Sequence, residues 1–350
     1  MNIYIAYVFN LGKPYDRRWW TGVSKPVVVT DDVLSQLVRE SSTVNSVVEE
    51  VEEFMRDKKR GLVVSPPRFT CEAGDGKLVM TSGASERKRL IGLRVYSTFE
   101  GPDYDKQVTA VYGMDGNLKG LFVGSIVGML RTAAINAVAI KHLSRHDSAT
   151  LGVIGTGRQA RSVVPVVSHV RDFKRIVVSS STPGHAKNFV EDMRGEFSAM
   201  GVDVEMEDSG RGVVEKSDVI VAVTTASRPV VNADWLRPGQ HVTSMGQKYR
   251  EAHEIDPRIV TEADLAVTDS SQQLRSYGSL FFVNEAARER ISELSEHIDG
   301  EGRSDEDITL FLSVGLSGTE VVVADRLLSI LAKEGVMESE AEHGDIRGGP

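Results

Sequence analysis

The sequence predicts an α/β protein built on a parallel, doubly wound sheet, with a β-rich module ahead of it. Three observations carry this. From Thr150 onward, apolar runs ("LGVIG", "RIVVSS", "VDVEM", "DVIVAVTT", "HVTSMG", "DLAVTD") alternate with amphipathic stretches. Continuous apolar strands separated by helices are the pattern of a parallel sheet covered on both faces. A Gly-x-Gly-x-x-Ala turn, residues 155–160, joins the first of these strands to the first helix. Finally, a substantial length of chain precedes that turn, and the substrate is expected to sit there.

The elements follow in order. Residues 1–25, rich in aromatic and basic side chains, read as an extension. Val33, Leu34, Leu37, Val38, Val47, Val48, Val51 and Phe54 have the spacing of two short helices between Asp31 and Arg56. Residues 62–123 alternate β-rich runs with Gly, Asp and Pro, and "MDGN" reads as a hairpin turn. "VGMLRTAAINAVAIKHLSR" is a helix pattern with small residues on one side, which allows close packing. After the second strand of the parallel sheet, Thr182 stands as an N-cap before Pro183 at the first helical position. "DITLFLSVG" and the helix "GTEVVVADRLLSILAKEG" close the fold. Residues 337–350 are acidic and Gly-rich and read as a disordered tail.

Composition narrows the function. The 350 residues are 41% hydrophobic and 26% charged, ordinary for a globular protein, and two domains are the default at this length. A formal charge of −9 argues against a nucleic-acid partner, which needs a clustered cationic surface. The single cysteine, Cys71, excludes an intramolecular disulfide, fits a reducing, cytoplasmic setting, and reads as a small buried hydrophobe. The N-terminal "IYIAYVF" is too short to span a bilayer and has no basic flank, so neither a signal nor a membrane partner is expected. His142 and His146 have a metal-ligand spacing on a helix but no evident third ligand, so no metal is expected.

The turn at 155–160 points to a cofactor. Gly155 permits the tight turn, Gly157 lets the backbone approach a pyrophosphate, and Ala160 allows close helix–strand packing. The following helix offers free N–H groups and the positive end of its dipole, with Thr156 and Arg158 in the same turn. This is a Rossmann dinucleotide fingerprint in its proper context. NAD enzymes usually carry an acid at the end of the second strand, for the ribose 2′-hydroxyl. Here no carboxylate lies between Ile176 and Lys187, while Ser180, Ser181 and Thr182 can donate to a 2′-phosphate and His185 or Lys187 can add charge. NADP(H) is favoured, with NAD(H) possible.

Four motifs then carry a family resemblance. "RTAAINAVAIKHLSRHDSATLGVIGTGRQA", "SDEDITLFLSVGLSGTE", "PPRF" and "GLRVYSTF" all occur, at compatible spacings, and residues 26–335 resemble the ornithine cyclodeaminase/mu-crystallin family. That family includes ornithine cyclodeaminases, alanine dehydrogenases and ketimine reductases. The resemblance implies a Rossmann domain (131–305) inserted in an α+β substrate-binding and dimerisation domain (1–130 with 306–336), and a homodimer. It implies that Arg68, Arg94 and Arg131 hold the carboxylate of a small amino or imino acid. A guanidinium fork suits that task, although any one of them alone could be a surface charge. Thr132, Gln159, Thr224 and Gly246 join the cofactor contacts.

Three departures stand out. Arg94 occupies a position that is usually lysine, Leu312 one that is commonly lysine, and Lys248 one where cyclodeaminases carry aspartate. Lys248 would repel a basic substrate side chain and is the candidate catalytic acid, or else it is an ordinary solvent-facing loop lysine. The expected activity is an NAD(P)H-dependent oxidoreductase acting on the C–N bond of an α-imino or α-amino acid. The alternatives are an ornithine cyclodeaminase, or a mu-crystallin-like binder without turnover.

Overall fold

The structure, a computed structural model, describes residues 26–99, 107–300 and 304–334. A mixed sheet comes first in the chain: β1 (Val27–Thr30), β2 (Val63–Val64), β3 (Phe69–Ala73), β4 (Gly76–Ser85), β5 (Leu90–Ser97), β6 (Gln107–Gly113) and β7 (Leu118–Val123). Then come β8 (Thr150–Ile154), β9 (Arg175–Ser179), β10 (Asp203–Met206), β11 (Val219–Ala222), β12 (His241–Ser244), the hairpin β13 (Lys248–Tyr249) and β14 (Ala252–His253), β15 (Leu265–Thr268), β16 (Ser292–Glu293) and β17 (Thr309–Leu312). The longer helices are α1 (Asp31–Leu37), α2 (Ser41–Lys59), α3 (Ile126–Leu143), α4 (Arg158–Val167), α5 (Pro183–Ser198) and α6 (Gly210–Lys216). Short helices α7 (Arg258–Glu262), α8 (Ser271–Arg275), α9 (Glu285–Glu289) and α10 (Leu294–His297) lead to the last one, α11 (Thr319–Lys333).

The mixed sheet runs β1-β7-β6-β5-β4-β2, with β3 also paired to β4. Its period-two alternation separates two faces. On the inner face Thr81, Arg94 and Thr109 stand in register, beside the row Val79, Tyr96 and Gln107. Helix α11 presses on this face, where Gly92 and Gly120 leave room for Val321 and Leu328. The outer face carries Met80, Val95 and Val108 in register, with Ile91 and Leu93 alongside, and Ile91 is 50% exposed.

The second sheet is parallel throughout, in the order β10-β9-β8-β11-β12-β17-β15-β16. The strand order reverses between β8 and β11, and ligands of such sheets bind outside the carboxyl ends at that point. All six apolar runs read from the sequence are strands of this sheet. By composition α3 is apolar enough to cross a bilayer, but it is mostly buried inside the protein.

Three expectations are corrected. Strand β17, in the segment expected to belong with the first module, lies between β12 and β15, and only α11 returns to the mixed sheet. All four of its residues are buried, as a central parallel strand requires. The boundary expected at residue 131 falls inside the continuous helix α3, which packs against both α2 and α4. Cys71 is exposed, as are all five residues of β3, so neither face of this strand is covered. Thr182 occupies the N-cap of α5 with Pro183 opening the helix, as expected, and its hydroxyl accepts no helix N–H. The N-terminal extension and the C-terminal tail lie outside the described residues.

Candidate active site

The carboxyl ends of β8, β11 and β12 form a cradle of glycines and one buried acid. Gly155 has φ +106° and its N–H donates to Ser179 O at 2.9 Å. A side chain there would run into the Val223 carbonyl, so glycine is required. Gly157 is the N-cap of α4, which has no side-chain cap, and a Cβ on Gly157 would meet nothing within 4 Å. Gly157, Arg158 and Gln159 are exposed, with Thr156 half-buried beside them. Glu254, fully buried, accepts from Thr224 N at 2.8 Å, Thr224 Oγ1 at 2.9 Å and Ser244 Oγ at 2.9 Å, and also from Gly246 N. It ties the loops after β11 and β12 together, which sequence reasoning missed.

This cradle fits a dinucleotide. The space over Gly157 and the uncapped first turn of α4 would take the pyrophosphate, with Thr224 and Gly246 on the neighbouring loops. Ser180, Ser181 and Thr182 follow β9, the last two exposed, at the start of α5. Thr132 lies on α3, its hydroxyl donating to Gly128 O at 2.8 Å.

The three arginines come from three separate elements and converge. Arg94 projects from β5 and its Nε donates to Gln107 Oε1 at 2.7 Å, while its guanidinium stacks on Tyr96, 4.5 Å from the ring centre. Arg131 comes from α3, and Arg68 from the stretch before β3. A Cβ on Gly315 would lie 2.8 Å from Arg68 Nη2 and 3.3 Å from Arg131 Nη1, so both guanidiniums flank this loop. Arg68 Nη2 donates to Val314 O, and its backbone N–H donates to Gln273 Oε1 at 2.9 Å. Arg94 Nη1 and Arg131 Nε are buried and have no hydrogen-bond partner among the described residues. Burial, then the charge of Arg131, pushes the Arg94 guanidinium down to about 10. None of the three forms an ion pair among the described residues. Unpartnered buried guanidinium N–H groups are costly, and an anion would satisfy them.

Lys248 is not a surface lysine. It is 1% exposed and its Nζ donates to Gly246 O at 2.8 Å. Burial pulls the ammonium down to about 8, against the pull of Glu254 and Asp269, with Arg68 adding to the depression. Asp269 follows β15, buried, and accepts from Val314 N at 2.9 Å and Gly315 N at 2.8 Å. Burial pushes its carboxyl up, opposed by those two amides and by Arg131. Glu320, fully buried at the start of α11, accepts from Thr81 Oγ1 and contributes negative charge toward Arg94. Tyr277 packs on Tyr249 with ring centres 5.1 Å apart, and it lies within electrostatic reach of Arg68 and Asp269. Asp269, Glu320 and Tyr277 went unnoticed in the sequence. The available signal was an acid directly after an apolar strand, as in "LAVTD".

Comparison with known proteins accords with this geometry. Residues 29–331 match the Ornithine cyclodeaminase/mu-crystallin family. The chain is 33% identical over 231 residues to a Delta(1)-pyrroline-2-carboxylate reductase of Bacillus cereus, covering 64% of this chain and 70% of that protein. It is 28% identical over 228 residues to the ketimine reductase mu-crystallin of Macropus fuliginosus, covering 65% and 69%. The solved structure of Thermococcus litoralis Delta(1)-pyrroline-2-carboxylate reductase, in complex with NADH and L-proline, has a TM-score of 0.79 at 27% identity and covers 88% of this chain and 98% of that one. The chain belongs to the ornithine cyclodeaminase/mu-crystallin family.

Proposed function

We propose that this protein is an NAD(P)H-dependent reductase of α-imino carboxylic acids, with a cyclic ketimine such as Δ1-pyrroline-2-carboxylate as the first substrate to test. The carrying observation is the pair of buried, unpartnered guanidinium nitrogens, Arg94 Nη1 and Arg131 Nε, beside the carboxyl edge of a sheet whose glycine cradle fits a dinucleotide. Arg68, Arg94 and Arg131 hold the substrate carboxylate and fix the imine carbon in place. The bound nicotinamide supplies a hydride. Lys248 Nζ gives a proton to the imine nitrogen, so that C=N becomes CH–NH, and regains the proton from solvent. A depressed ammonium is suited to this, being a stronger acid than an ordinary lysine.

NADP(H) is the preferred cofactor in this reading, because the end of β9 offers exposed hydroxyls of Ser181 and Thr182 and no carboxylate. Two copies pair through the outer face of the mixed sheet, where Leu78, Ile91, Leu93 and Val108 are exposed. The compartment is the cytoplasm, where an exposed Cys71 stays reduced. The cyclodeaminase alternative is disfavoured, because a distal ammonium would meet the cationic Lys248.

The test is a screen of NADPH oxidation with preformed cyclic imines and with α-keto acids plus amines. Steady oxidation is expected with at least one α-imino carboxylate, and none with the matching imine lacking a carboxylate. Tight NADPH binding without oxidation of any imine would favour the binder reading. Ammonia release and proline formation from ornithine would favour the cyclodeaminase.

A further inference from the structure

The loop that follows β17, residues 313–318, carries no charged side chain, yet it is gripped from two sides. Arg68 Nη2 donates to the carbonyl of Val314, while Asp269 accepts from the N–H groups of Val314 and Gly315 at 2.9 and 2.8 Å. Both carboxylate oxygens of Asp269 are therefore used, one on each N–H. Gly315 adopts φ +91° between them, with Arg68 and Arg131 flanking the place where a side chain would be. Asp269 is 3% exposed, so bulk water does not compete for it. Its charged neighbours are Arg131 on α3 and Lys248 on β13. Asp269, Glu254 and Arg68 lie within electrostatic reach of Lys248, and Asp269 and Arg68 within reach of Tyr277.

We propose that Asp269 is a positioning residue that joins the two halves of the active site. Through the Val314 and Gly315 amides it sets the separation of Arg68 and Arg131, and together with Glu254 it places negative charge near the buried Lys248. The two backbone N–H groups and the neighbouring Arg131 favour the charged form of Asp269 and oppose the upward push of its burial. One residue, touching neither substrate nor cofactor, then controls both carboxylate binding and proton supply. The inference rests on the reading of Lys248 as the proton donor.

The test compares Asp269→Asn with Lys248→Met in the full-length protein. Asparagine keeps the shape and one acceptor oxygen, but it loses the charge and turns a donor toward one of the two amides. In Asp269→Asn, KM for the imino acid should rise about tenfold, as for one lost charge-assisted hydrogen bond. The dissociation constant for NADPH, read by fluorescence, should stay within about twofold, since Asp269 is outside the glycine cradle. The fall of kcat/KM at high pH should begin at lower pH than in the unmodified protein, because removing a nearby negative charge makes Lys248 a stronger acid. A purely structural role would lower the thermal midpoint and leave that limb in place. An unmoved limb and an unchanged KM in folded Asp269→Asn would overturn the proposal. Lys248→Met separates the two ideas: if the limb survives in that variant, the proton-donor reading itself fails, whatever Asp269 does.

Discussion

Replacing Lys248 by methionine should make the protein more stable and much less active. Methionine has similar length and no charge. The folded protein lowers the Lys248 ammonium from 10.5 to about 8, which corresponds to about 3 kcal/mol against the charged form at pH 7. The hydrogen bond from Nζ to Gly246 O, 2.8 Å long, is lost in the exchange, and that gives back about 1 kcal/mol. A net gain of about 1–2 kcal/mol at pH 7 is expected. The gain depends on pH in a definite direction. Below pH 8 the lysine is protonated in both states and the penalty is complete. Between pH 8 and 10.5 the unfolded chain still binds a proton that the folded protein has released, so stability of the unmodified protein rises through this window. The difference between the two proteins should therefore shrink as pH passes from 8 to 10.5. Urea denaturation followed by tryptophan fluorescence at a series of pH values measures this. In the same variant kcat/KM should fall by roughly 10²-fold, the usual contribution of a general acid. A variant no more stable than its parent at pH 7, with imine reduction intact, would refute both the burial argument and the assignment.

Arg131→Ala should raise KM for the imino acid about 10- to 100-fold, as expected for losing a charged hydrogen bond worth about 1.5–3 kcal/mol. NADPH titration should be nearly unchanged, and relief of the repulsion on Arg94 should keep the fold stable; an unaltered kcat/KM would remove Arg131 from the site. Parallel fluorescence titrations should show tighter binding of NADPH than of NADH, with Ser181→Asp shifting preference toward NADH by like-charge repulsion of the 2′-phosphate. Equal or tighter NADH binding by the unmodified protein would contradict that choice.

The parts of this site that were legible in the sequence share one property: their meaning is local. A glycine that needs φ +106° and a helix that begins a few residues later are neighbours in the chain, so the cofactor turn could be read directly. The arginines could be read only through the resemblance, since nothing local distinguishes Arg94 from a surface charge. Lys248 was ambiguous because the groups that shape it, Glu254, Asp269 and Arg68, come from other segments. The affiliation of β17 was hidden for a related reason. A short buried run such as "TLFL" looks alike in either sheet, and the neighbours β12 and β15 decide the matter. The exposure of Cys71 likewise depends on what covers β3, a property of its partners and not of "FTCEA".

The way the chain passes between the two sheets restricts how they can move. It enters the parallel sheet by way of α3 and leaves it through residues 313–318, and Asn136 of α3 lies 3.5 Å from Ser313, side chain to side chain. The covalent links alone leave one rotation, about the line through both tethers, and the ion pairs of Arg56 with Asp299 and of Lys58 with Glu293 hold against it. Arg131 is on the first tether and Gly315 on the second, so the carboxylate site lies close to that axis, where a given rotation displaces atoms least. Ser181 and Thr182, after β9 near the far edge of the sheet, lie at long radius and sweep the largest arc. Were those ion pairs released, the same rotation would carry Ser181 and Thr182 far while barely displacing Arg131 and Gly315.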